Sequence, residues 1–536
     1  MQTRINDFTK FFEKDYPLIK LFEYGENDYL LYDAKANFAF IVPNHELDIL
    51  CGFLNGKTTE EIINNSSLEK QSIQSLIQKY SELKEKGGLF IPGPLEQVSP
   101  TDTNELQKLV DYYDKNILVR KFVLEVTEDC NYRCTYCYNT LSTEYRKHSK
   151  SKMSFETAKN AINYYFSKYI EIFGKLSEEK KALLLETVPP TLSWYGGEPM
   201  MNFELLKQST DYFISLGWED YGISKDCLKF TSNTNLSIMN EQILEFLTKY
   251  NVILYVSLDG PKEENDKCRV FENGNGTFDV AYGNLLKIKE YNPEYFKKSV
   301  SVIAVEDEVH DHKKCHDFLD NLGVLVRYSP RRPYADCLYK DARKRYNDIV
   351  ENFDKYLTEA FDKVMNAKSI TEYPDFFDGL IPFLKINYDS PTGKNKQNMI
   401  LSCPMGMDNS MIGVNGEFHI CHKTDGSMPF ANINEKVDLT GLAELYKTYN
   451  TAINNNALCR SCWVVAHCSV CAADRTKRGR IVSPTEDECK VVTKHFEYLF
   501  NVFVFTYIHR QDLLEELQKK KDNRKEYITI IDINSF

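Results

Sequence analysis

The chain has 536 residues, of which 42% are hydrophobic and 27% charged, and its formal net charge is −12. This composition is ordinary for a soluble globular protein, and the length predicts about three or four domains. The acidic balance excludes a general nucleic-acid binder. No apolar run reaches the roughly 18 residues of a membrane-spanning helix, and the N-terminus lacks the apolar core of a signal peptide. We therefore expect a cytoplasmic protein with neither nucleic-acid nor membrane partners.

Residues 1–95 are predicted to form a winged-helix-like domain. Residues 29–33 and 37–42 are typical of two short strands joined by a tight turn. Three helices and a last short strand should follow, because N-cap residues, two capping-box spacings and a glycine stop occur in order. The residues that mark these boundaries are Asn44, Thr58 with Glu61, Ser66 with Glu69, Gly87 with Gly88, and 89–92 for the strand.

Three roles are open for this first domain. A DNA-binding winged helix should be basic, yet residues 58–90 hold four lysines and five glutamates. A peptide-binding version would add an extended peptide to the edge of its sheet. In that respect the domain resembles the recognition domain that docks leader peptides of ribosomally made, modified peptides. A purely structural N-terminal cap is the alternative.

A linker is predicted at 96–118, with one helix near 106–113, and an alternation of strands and helices follows it. Amphipathic helical stretches separate apolar, β-branched runs, and this order predicts a parallel sheet. The fold class is therefore α/β, with a partial (β/α)6 TIM-like barrel over residues 119–340. The helical stretches include 155–172, 203–215, 239–250 and 278–290, and the predicted strands are 121–127, 191–195, 228–231, 252–257, 299–305 and 323–328.

A cysteine triplet directly follows the first barrel strand. Cys130, Cys134 and Cys137 have CxxxCxxC spacing, and active sites of parallel barrels form at the carboxyl ends of their strands. Three thiolates are one fewer than a closed Fe–S or zinc site requires. The triplet alone fits either a four-iron cluster with one open iron or a zinc site that takes its fourth ligand from elsewhere.

The ends of the next three strands carry motifs that, with the triplet, resemble the radical S-adenosylmethionine (SAM) superfamily. The motifs are GGEP at 196–199, TSNTN at 231–235 and SLDGP at 257–261. Two positions depart from the family: its second motif is more often Thr-Asn-Gly-like, and Asn265 stands where the family usually has a histidine. The resemblance implies that the triplet holds a [4Fe–4S] cluster whose open iron binds SAM. It also implies a set of SAM-contact residues, namely Gly196, Gly197, Glu198, Pro199, Asn233, Ser257, Asp259 and Arg269.

A second cysteine set follows a predicted helical bridge at 341–395. Its order is similar to the seven-cysteine SPASM extension, although two residues rather than three separate Cys468 from Cys471. The resemblance implies a C-terminal Cys-rich iron–sulfur (SPASM) domain at 396–490 with two auxiliary [4Fe–4S] clusters, followed by a helical tail at 491–536. A pair of zinc ribbons is the alternative. The implied ligands are Cys459, Cys462, Cys468 and Cys489 for one cluster and Cys403, Cys421 and Cys471 for the other.

The second of these ligand sets contains only three cysteines. No further cysteine lies between Cys403 and Cys421, and His422 is poorly placed because it is the direct neighbour of Cys421. We therefore hypothesise that this auxiliary cluster has an open iron, which binds a cysteine thiolate of the substrate. The remaining five cysteines are expected to be small buried residues; they are Cys51, Cys227, Cys268, Cys315 and Cys337.

The whole chain resembles peptide maturases of the sactipeptide and ranthipeptide type. The resemblance implies SAM and three [4Fe–4S] clusters as cofactors, a precursor peptide whose leader docks on the N-terminal domain, and an electron donor such as flavodoxin or ferredoxin. The implied reaction begins with hydrogen abstraction by a 5′-deoxyadenosyl radical and ends in a thioether. Carbon–carbon or carbon–oxygen crosslinking, sulfatase maturation by formylglycine formation, and a cluster-based regulator are the alternatives. The sequence singles out no catalytic acid, base or radical donor.

Overall fold

A computed structural model describes residues 16, 18–24, 28–116, 118–119, 121–141, 145–306, 309–330, 347, 350–385, 405–407, 409–468 and 471–528. The predicted cluster ligand Cys403 and the scattered Cys337 lie outside these residues. Every described cysteine is a free thiol. No helix in the described ranges is both long enough and apolar enough to cross a membrane.

The N-terminal unit is an antiparallel sheet followed by three helices around a core of its own. Leu31, Val42, Ile73 and Tyr80 are completely buried in this core. The strands pair in chain order. They are β1 (Ile19–Tyr24), β2 (Asp28–Asp33) and β3 (Phe38–Pro43), and the helices are α1 (Asn44–Leu54), α2 (Thr59–Asn64) and α3 (Lys70–Gly87).

This unit differs from the predicted winged helix in its third strand and in two helix starts, since Pro43 rather than Asn44 holds the N-cap position of α1. The predicted strand at 89–92 is wrong, and β1, which the sequence pattern does not reveal, is the third strand of the sheet instead. The Phe90 N–H donates to a carboxylate oxygen of Asp33 at 2.8 Å, so a side chain rather than a strand holds this segment. Thr58 and Glu61 form the predicted capping box, whereas Ser66 binds the nearby N–H of Leu68 and does not cap α3.

A nine-stranded sheet forms the centre of the molecule, in the order β12-β11-β10-β4-β5-β6-β7-β8-β9. Strands β4 to β9 all pair in parallel, which confirms the α/β class and the six parallel strands. Each observed strand overlaps its predicted run. They are β4 (Lys121–Thr127), β5 (Thr191–Gly196), β6 (Lys229–Thr234), β7 (Ile253–Ser257), β8 (Val300–Glu306) and β9 (Leu325–Pro330).

Three short strands from the C-terminal half extend this sheet beyond β4. Strand β10 (Asn409–Ile412) runs parallel to β4, and β11 (Glu417–His419) and β12 (Ala431–Asn432) follow as antiparallel neighbours. The sequence does not predict them, because runs this short show no period. The polypeptide that carries Cys421 is therefore anchored to the same sheet as the cysteine triplet.

Helices pack against one face of the central sheet. Trp194, Phe230, Leu254 and Val302 point into the large core beneath these helices. The predicted linker contains α4, which is longer than expected. The helices are α4 (Thr103–Asn116), α5 (Tyr138–Leu141), α6 (Phe155–Gly174), α7 (Glu178–Thr187), α8 (Phe203–Ile214), α9 (Glu241–Lys249), α10 (Lys262–Cys268), α11 (Phe278–Tyr291), α12 (Pro293–Ser299) and α13 (His312–Leu319).

A second core joins the N-terminal unit to the C-terminal helices. The ring of Phe22 lies 4.7 Å from that of Phe500 and 5.9 Å from that of Trp463, between centroids. The N-terminal unit is thereby fixed to the loop that carries Cys462 and Cys468. The remaining elements are α14 (Phe353–Asn366), α15 (Pro374–Asp378), α16 (Thr440–Asn454), α17 (Ala457–Arg460), α18 (Ala472–Arg475), β13 (Thr476–Lys477), β14 (Arg480–Ile481), α19 (Glu486–His509) and α20 (Gln511–Ile528).

Candidate active site

A cavity of about 1000 Å³ lies on the sheet face opposite the helices. Side chains of a strand alternate between its two faces, so Ser193, Thr231, Tyr255 and Ile303 line the cavity while their neighbours pack in the core. Its volume is at the upper end of the range of about 300–1,000 Å³ for small-molecule sites. A cofactor and part of a substrate can therefore share it.

The cysteine triplet lines this cavity, as the spacing predicts. Cys130 and Cys134 are buried and Cys137 is half-buried. Burial raises the pKa of the Cys134 thiol to about 12 and also raises the pKa of Cys130. Both thiols are therefore protonated near neutral pH, and binding of iron would displace their protons.

Two backbone hydrogen bonds fix the triplet loop against residues 268–270. The N–H groups of Arg133 and Thr135 donate to the backbone carbonyls of Val270 and Cys268 at 2.8 and 3.0 Å. In the described ranges, no three cysteine, histidine or carboxylate side chains converge closely enough to hold a single metal ion. Three thiols facing one wide cavity nevertheless suit the donor set of a [4Fe–4S] cluster with one free iron.

Gly196 and Gly197 allow the end of β5 to lie directly against the backbone that leads into the triplet. The Gly197 N–H donates to the Thr127 carbonyl at 2.8 Å, and the Glu198 N–H donates to the Asp129 carbonyl at 2.8 Å. A Cβ atom on Gly197 would lie 2.2 Å from the Asp129 carbonyl oxygen. These glycines therefore position the cysteine loop as well as lining the cavity.

Replacing Gly197 with alanine is expected to destabilise the protein by about 2–4 kcal/mol, because the clash is with backbone that cannot turn away. Gly283→Ala is the matched control. A Cβ there meets no atom within 4 Å in the middle of α11, so it should stabilise by about 0.5–1 kcal/mol. Urea unfolding of the two variants measures the difference; equal midpoints would contradict the packing role.

Glu198 is buried and turned away from the cavity. Its carboxylate accepts the N–H of Asn235 at 2.7 Å, the hydroxyl of Thr234 at 2.8 Å and the N–H of Met200 at 3.1 Å. Burial raises its pKa to about 7, although these donors favour the ionised form. Glu198 thus ties the ends of β5 and β6 together.

Asp259 joins three chain segments around the triplet. It accepts the Tyr136 hydroxyl at 2.5 Å, a guanidinium N–H of Arg269 at 2.9 Å and the Val305 N–H at 2.8 Å. Tyr136 lies between the second and third cysteines, so the carboxylate holds the cysteine loop against β8. Asn265, at the position of the family's usual histidine, is buried and accepts the Asp259 N–H at 3.2 Å.

The structure divides the predicted SAM contacts into two groups. Five of them line the cavity, whereas Glu198, Pro199 and Asp259 do not. Asn235, which the sequence does not single out, lines it and donates to the Cys130 sulfur at 3.7 Å. Asn235 is the second asparagine of the TSNTN motif, and this position is the sequence feature that could have indicated its role. The five cavity-lining residues are Gly196, Gly197, Asn233, Ser257 and Arg269.

The second cysteine set is divided between two cavities. The four cysteines assigned to one auxiliary cluster line a small apolar cavity beside Tyr449. Burial, and then the neighbouring thiols, raise the pKa of Cys462 to about 11 and of Cys459 and Cys489 to about 12. Four thiols around one small cavity suit the donor set of a cluster with four thiolates. These cysteines are Cys459, Cys462, Cys468 and Cys489.

Cys421 and Cys471, assigned to the other auxiliary cluster, line the large cavity together with the triplet. A buried arginine holds the Cys421 loop there. Arg146 donates to the carbonyls of His422 and Thr424 at 2.7 and 3.2 Å and to the Glu125 carboxylate at 2.6 Å. Glu125 belongs to β4, so this arginine links the auxiliary loop to the strand that leads into the triplet.

Residues 124–314 match the model of the radical SAM superfamily. The chain is 23% identical over 481 residues to the radical SAM cyclopropyl synthase TigE of Paramaledivibacter caminithermalis, which covers 87% of this chain and 90% of that protein. It is 23% identical over 417 residues to a cysteine-type anaerobic sulfatase-maturating enzyme of Clostridium novyi, covering 71% and 95%.

Among solved structures, native anSMEcpe with bound AdoMet aligns over 72% of this chain and 98% of its own, at 16% identity and a TM-score of 0.48. A radical SAM domain implies SAM and a [4Fe–4S] cluster, which suits the three thiols on the cavity wall. The protein therefore carries a radical SAM domain over residues 124–314, and radical SAM maturases are among its homologues.

Proposed function

We propose that this protein forms thioether crosslinks, from a cysteine sulfur to a carbon, in a ribosomally synthesised precursor peptide. The observation that supports this most directly is the shared cavity, which the triplet lines together with Cys421 and Cys471. A substrate thiol held near the second pair would share this space with a carbon held near the triplet. Crosslinking requires that proximity.

In this proposal the residues of the cavity bind and orient, and the cofactors carry the hard chemistry. SAM and its [4Fe–4S] cluster, when bound, would supply the radical chemistry that removes hydrogen from the peptide. The triplet holds that cluster, and the five cavity-lining contact residues hold SAM. Glu198 and Asp259 position the surrounding loops. Two auxiliary clusters are held by Cys403, Cys421 and Cys471 and by Cys459, Cys462, Cys468 and Cys489.

His422 is the competing ligand for the proposed open coordination position near Cys421. The ring of His422 packs edge-on against Tyr195 with centroids 5.1 Å apart, and its backbone carbonyl is bound by Arg146. The His422 Nδ1 lies 3.7 Å from the Cys421 sulfur. Because Tyr195 and Arg146 already hold His422, we assign the open position of this cluster to a substrate thiolate rather than to the imidazole.

We also propose that the leader of the precursor docks on the edge of β3. In the described sheet β3 pairs with β2 alone, and Ile41 is 42% exposed. The ammonium of Lys79 on α3 lies 6.0 Å from the ring of Phe40, so β3 and α3 border one groove. An added strand would gain backbone hydrogen bonds there. The other edge, β1, is packed against Phe500 and Trp463 through Phe22.

Two relatives define the competing functions. The cyclopropyl synthase favours carbon–carbon bond formation as an alternative, and the sulfatase-maturating enzyme favours formylglycine formation. The second alternative leaves the N-terminal unit, with its own core and free strand edge, without a role. We place the reaction in the cytoplasm, with flavodoxin or ferredoxin as electron donor.

The test is anaerobic incubation of the reconstituted protein with SAM, a reductant and a candidate cysteine-rich precursor peptide. We expect a loss of two hydrogens and of one alkylatable thiol per crosslink. The control is the same peptide with each cysteine replaced by serine. Loss of hydrogens with every thiol still alkylatable would indicate carbon–carbon or carbon–oxygen bonds, and an aldehyde trapped by hydroxylamine would indicate formylglycine.

A further inference from the structure

Arg327 is a charged side chain inside the large cavity without an acidic partner among the described residues. It lies on β9 opposite Ile303 of β8, and both side chains line the cavity. Two described carboxylates on neighbouring segments have partners of their own. Glu306 contacts His316 at 2.9 Å, and Asp320 accepts the Tyr328 hydroxyl at 2.6 Å.

The described lining of this cavity contains cations but no carboxylate. Arg269, Lys423 and Arg327 all belong to it, and Arg269 is neutralised by Asp259 at 2.9 Å. A concave wall with an excess of one charge attracts ligands of the opposite charge. An exposed arginine in such a wall is therefore suited to bind an anion.

The guanidinium of Arg327 is also oriented before any ligand arrives. Its central carbon lies 5.8 Å from the centre of the Tyr255 ring, which restrains the planar group while its N–H edge stays available. A guanidinium pairs best with a carboxylate, through two parallel hydrogen bonds. Less conformational entropy is lost on binding when the guanidinium group is already oriented.

Arg327 lies beyond the strands that carry the proposed SAM contacts. Gly196, Asn233 and Ser257 are on β5, β6 and β7, whereas Arg327 is on β9, two strands further along the sheet. Strand spacing puts β9 about 10 Å from β7 across the sheet. A carboxylate at Arg327 would therefore lie about 10 Å from the proposed SAM contact on β7, on the side of the cavity left to a substrate.

We propose that Arg327 binds the side-chain carboxylate of an aspartate or glutamate in the substrate peptide. Arg327 would thereby make the enzyme selective for peptides with an acidic residue next to the reacting position. The inference rests on the proposed function and adds the substrate class to it.

The test is anaerobic equilibrium dialysis of the reconstituted, SAM-loaded protein against two capped tripeptides, acetyl-Gly-Asp-Gly-amide and acetyl-Gly-Asn-Gly-amide. A charge-assisted pair predicts that the wild type binds the aspartyl probe about tenfold more tightly. Arg327→Gln should reduce this ratio to about one, and Arg327→Lys should retain part of it. Arg480→Gln, at an exposed arginine of β14, is the control and should leave the ratio unchanged.

Equal binding of both probes by the wild type would overturn the inference, and so would an unchanged ratio in Arg327→Gln. Weaker SAM binding by Arg327→Gln with the probe ratio intact would assign the carboxylate to SAM and also overturn it. Retained SAM affinity shows that the variant is folded. The dialysis needs no turnover, so a preference for the aspartyl probe without modification of the precursor would contradict the proposed function alone.

Discussion

Protein with Cys130, Cys134 and Cys137 replaced by alanine is expected to lose all reductive cleavage of SAM. The three thiols face the same cavity as the proposed SAM contacts, and a four-iron cluster held by three cysteines cannot form without them. We expect 5′-deoxyadenosine to fall to background when dithionite and SAM are supplied. Iron content should fall by about four atoms per chain. Chromatography of the products and iron analysis measure the two effects.

Cys51→Ala is the control for this experiment, because Cys51 lies on α1 in the N-terminal unit, outside the residues that line either cysteine cavity. It should retain both SAM cleavage and iron. Continued cleavage by the triple variant would contradict the assignment of the radical SAM cluster. Zinc in place of iron at the wild-type triplet would contradict it as well, and would restore the alternative that the spacing alone leaves open.

The strands of the central sheet could be predicted because their pattern is local. A strand with one face in the core gives an apolar, β-branched run that is visible without knowledge of its partners. Strands β10, β11 and β12 could not be predicted. They span 4, 3 and 2 residues, and the pairing of β10 with β4 joins distant parts of the chain. Strand β1 is longer, but its place in the sheet depends on its pairing with β2, which its own sequence does not show.

The parts of the site that could be predicted are those that follow from the spacing of residues along the sequence. The triplet and the two glycines follow strands directly, and strand ends converge on one edge of a parallel sheet. A motif does not show which way a side chain points. Glu198 and Asp259 belong to recognisable motifs, yet both are buried in hydrogen bonds that fix loops. Arg146 and Arg327 belong to no motif, and their importance comes from partners or a cavity that only the fold creates.

Replacing Arg146 with alanine is expected to destabilise the protein by about 3–5 kcal/mol, because it leaves the Glu125 carboxylate buried without its counter-ion. The two side chains are only 5% and 4% exposed. The variant also loses the donors to the His422 and Thr424 carbonyls. Urea unfolding of the cluster-free protein measures the loss. The exposed pair Lys86–Glu82 on α3 is the control, and Lys86→Ala should cost only about 0.3–0.5 kcal/mol.

The pH dependence of this loss distinguishes a buried charge from lost packing. Burial already raises the pKa of Glu125, and Arg146 opposes that rise. Without the arginine the pKa rises further, so the folded variant takes up a proton that the unfolded chain releases at neutral pH. Its stability relative to the wild type should therefore improve as the pH falls. Glu125→Gln combined with Arg146→Gln should cost less than Arg146→Ala at pH 7, since no charge stays buried.

A spectroscopic measurement connects this pair to the proposed site. Arg146 holds the loop of Cys421 but does not contact the cavity formed by Cys459, Cys462, Cys468 and Cys489. In reconstituted Arg146→Gln, electron paramagnetic resonance should show a changed signal from the auxiliary cluster at Cys421. The signal of the cluster with four cysteines should stay as in the wild type. Equal changes in both signals would mean that the substitution loosens the whole fold, and a positioning role for Arg146 would then be wrong.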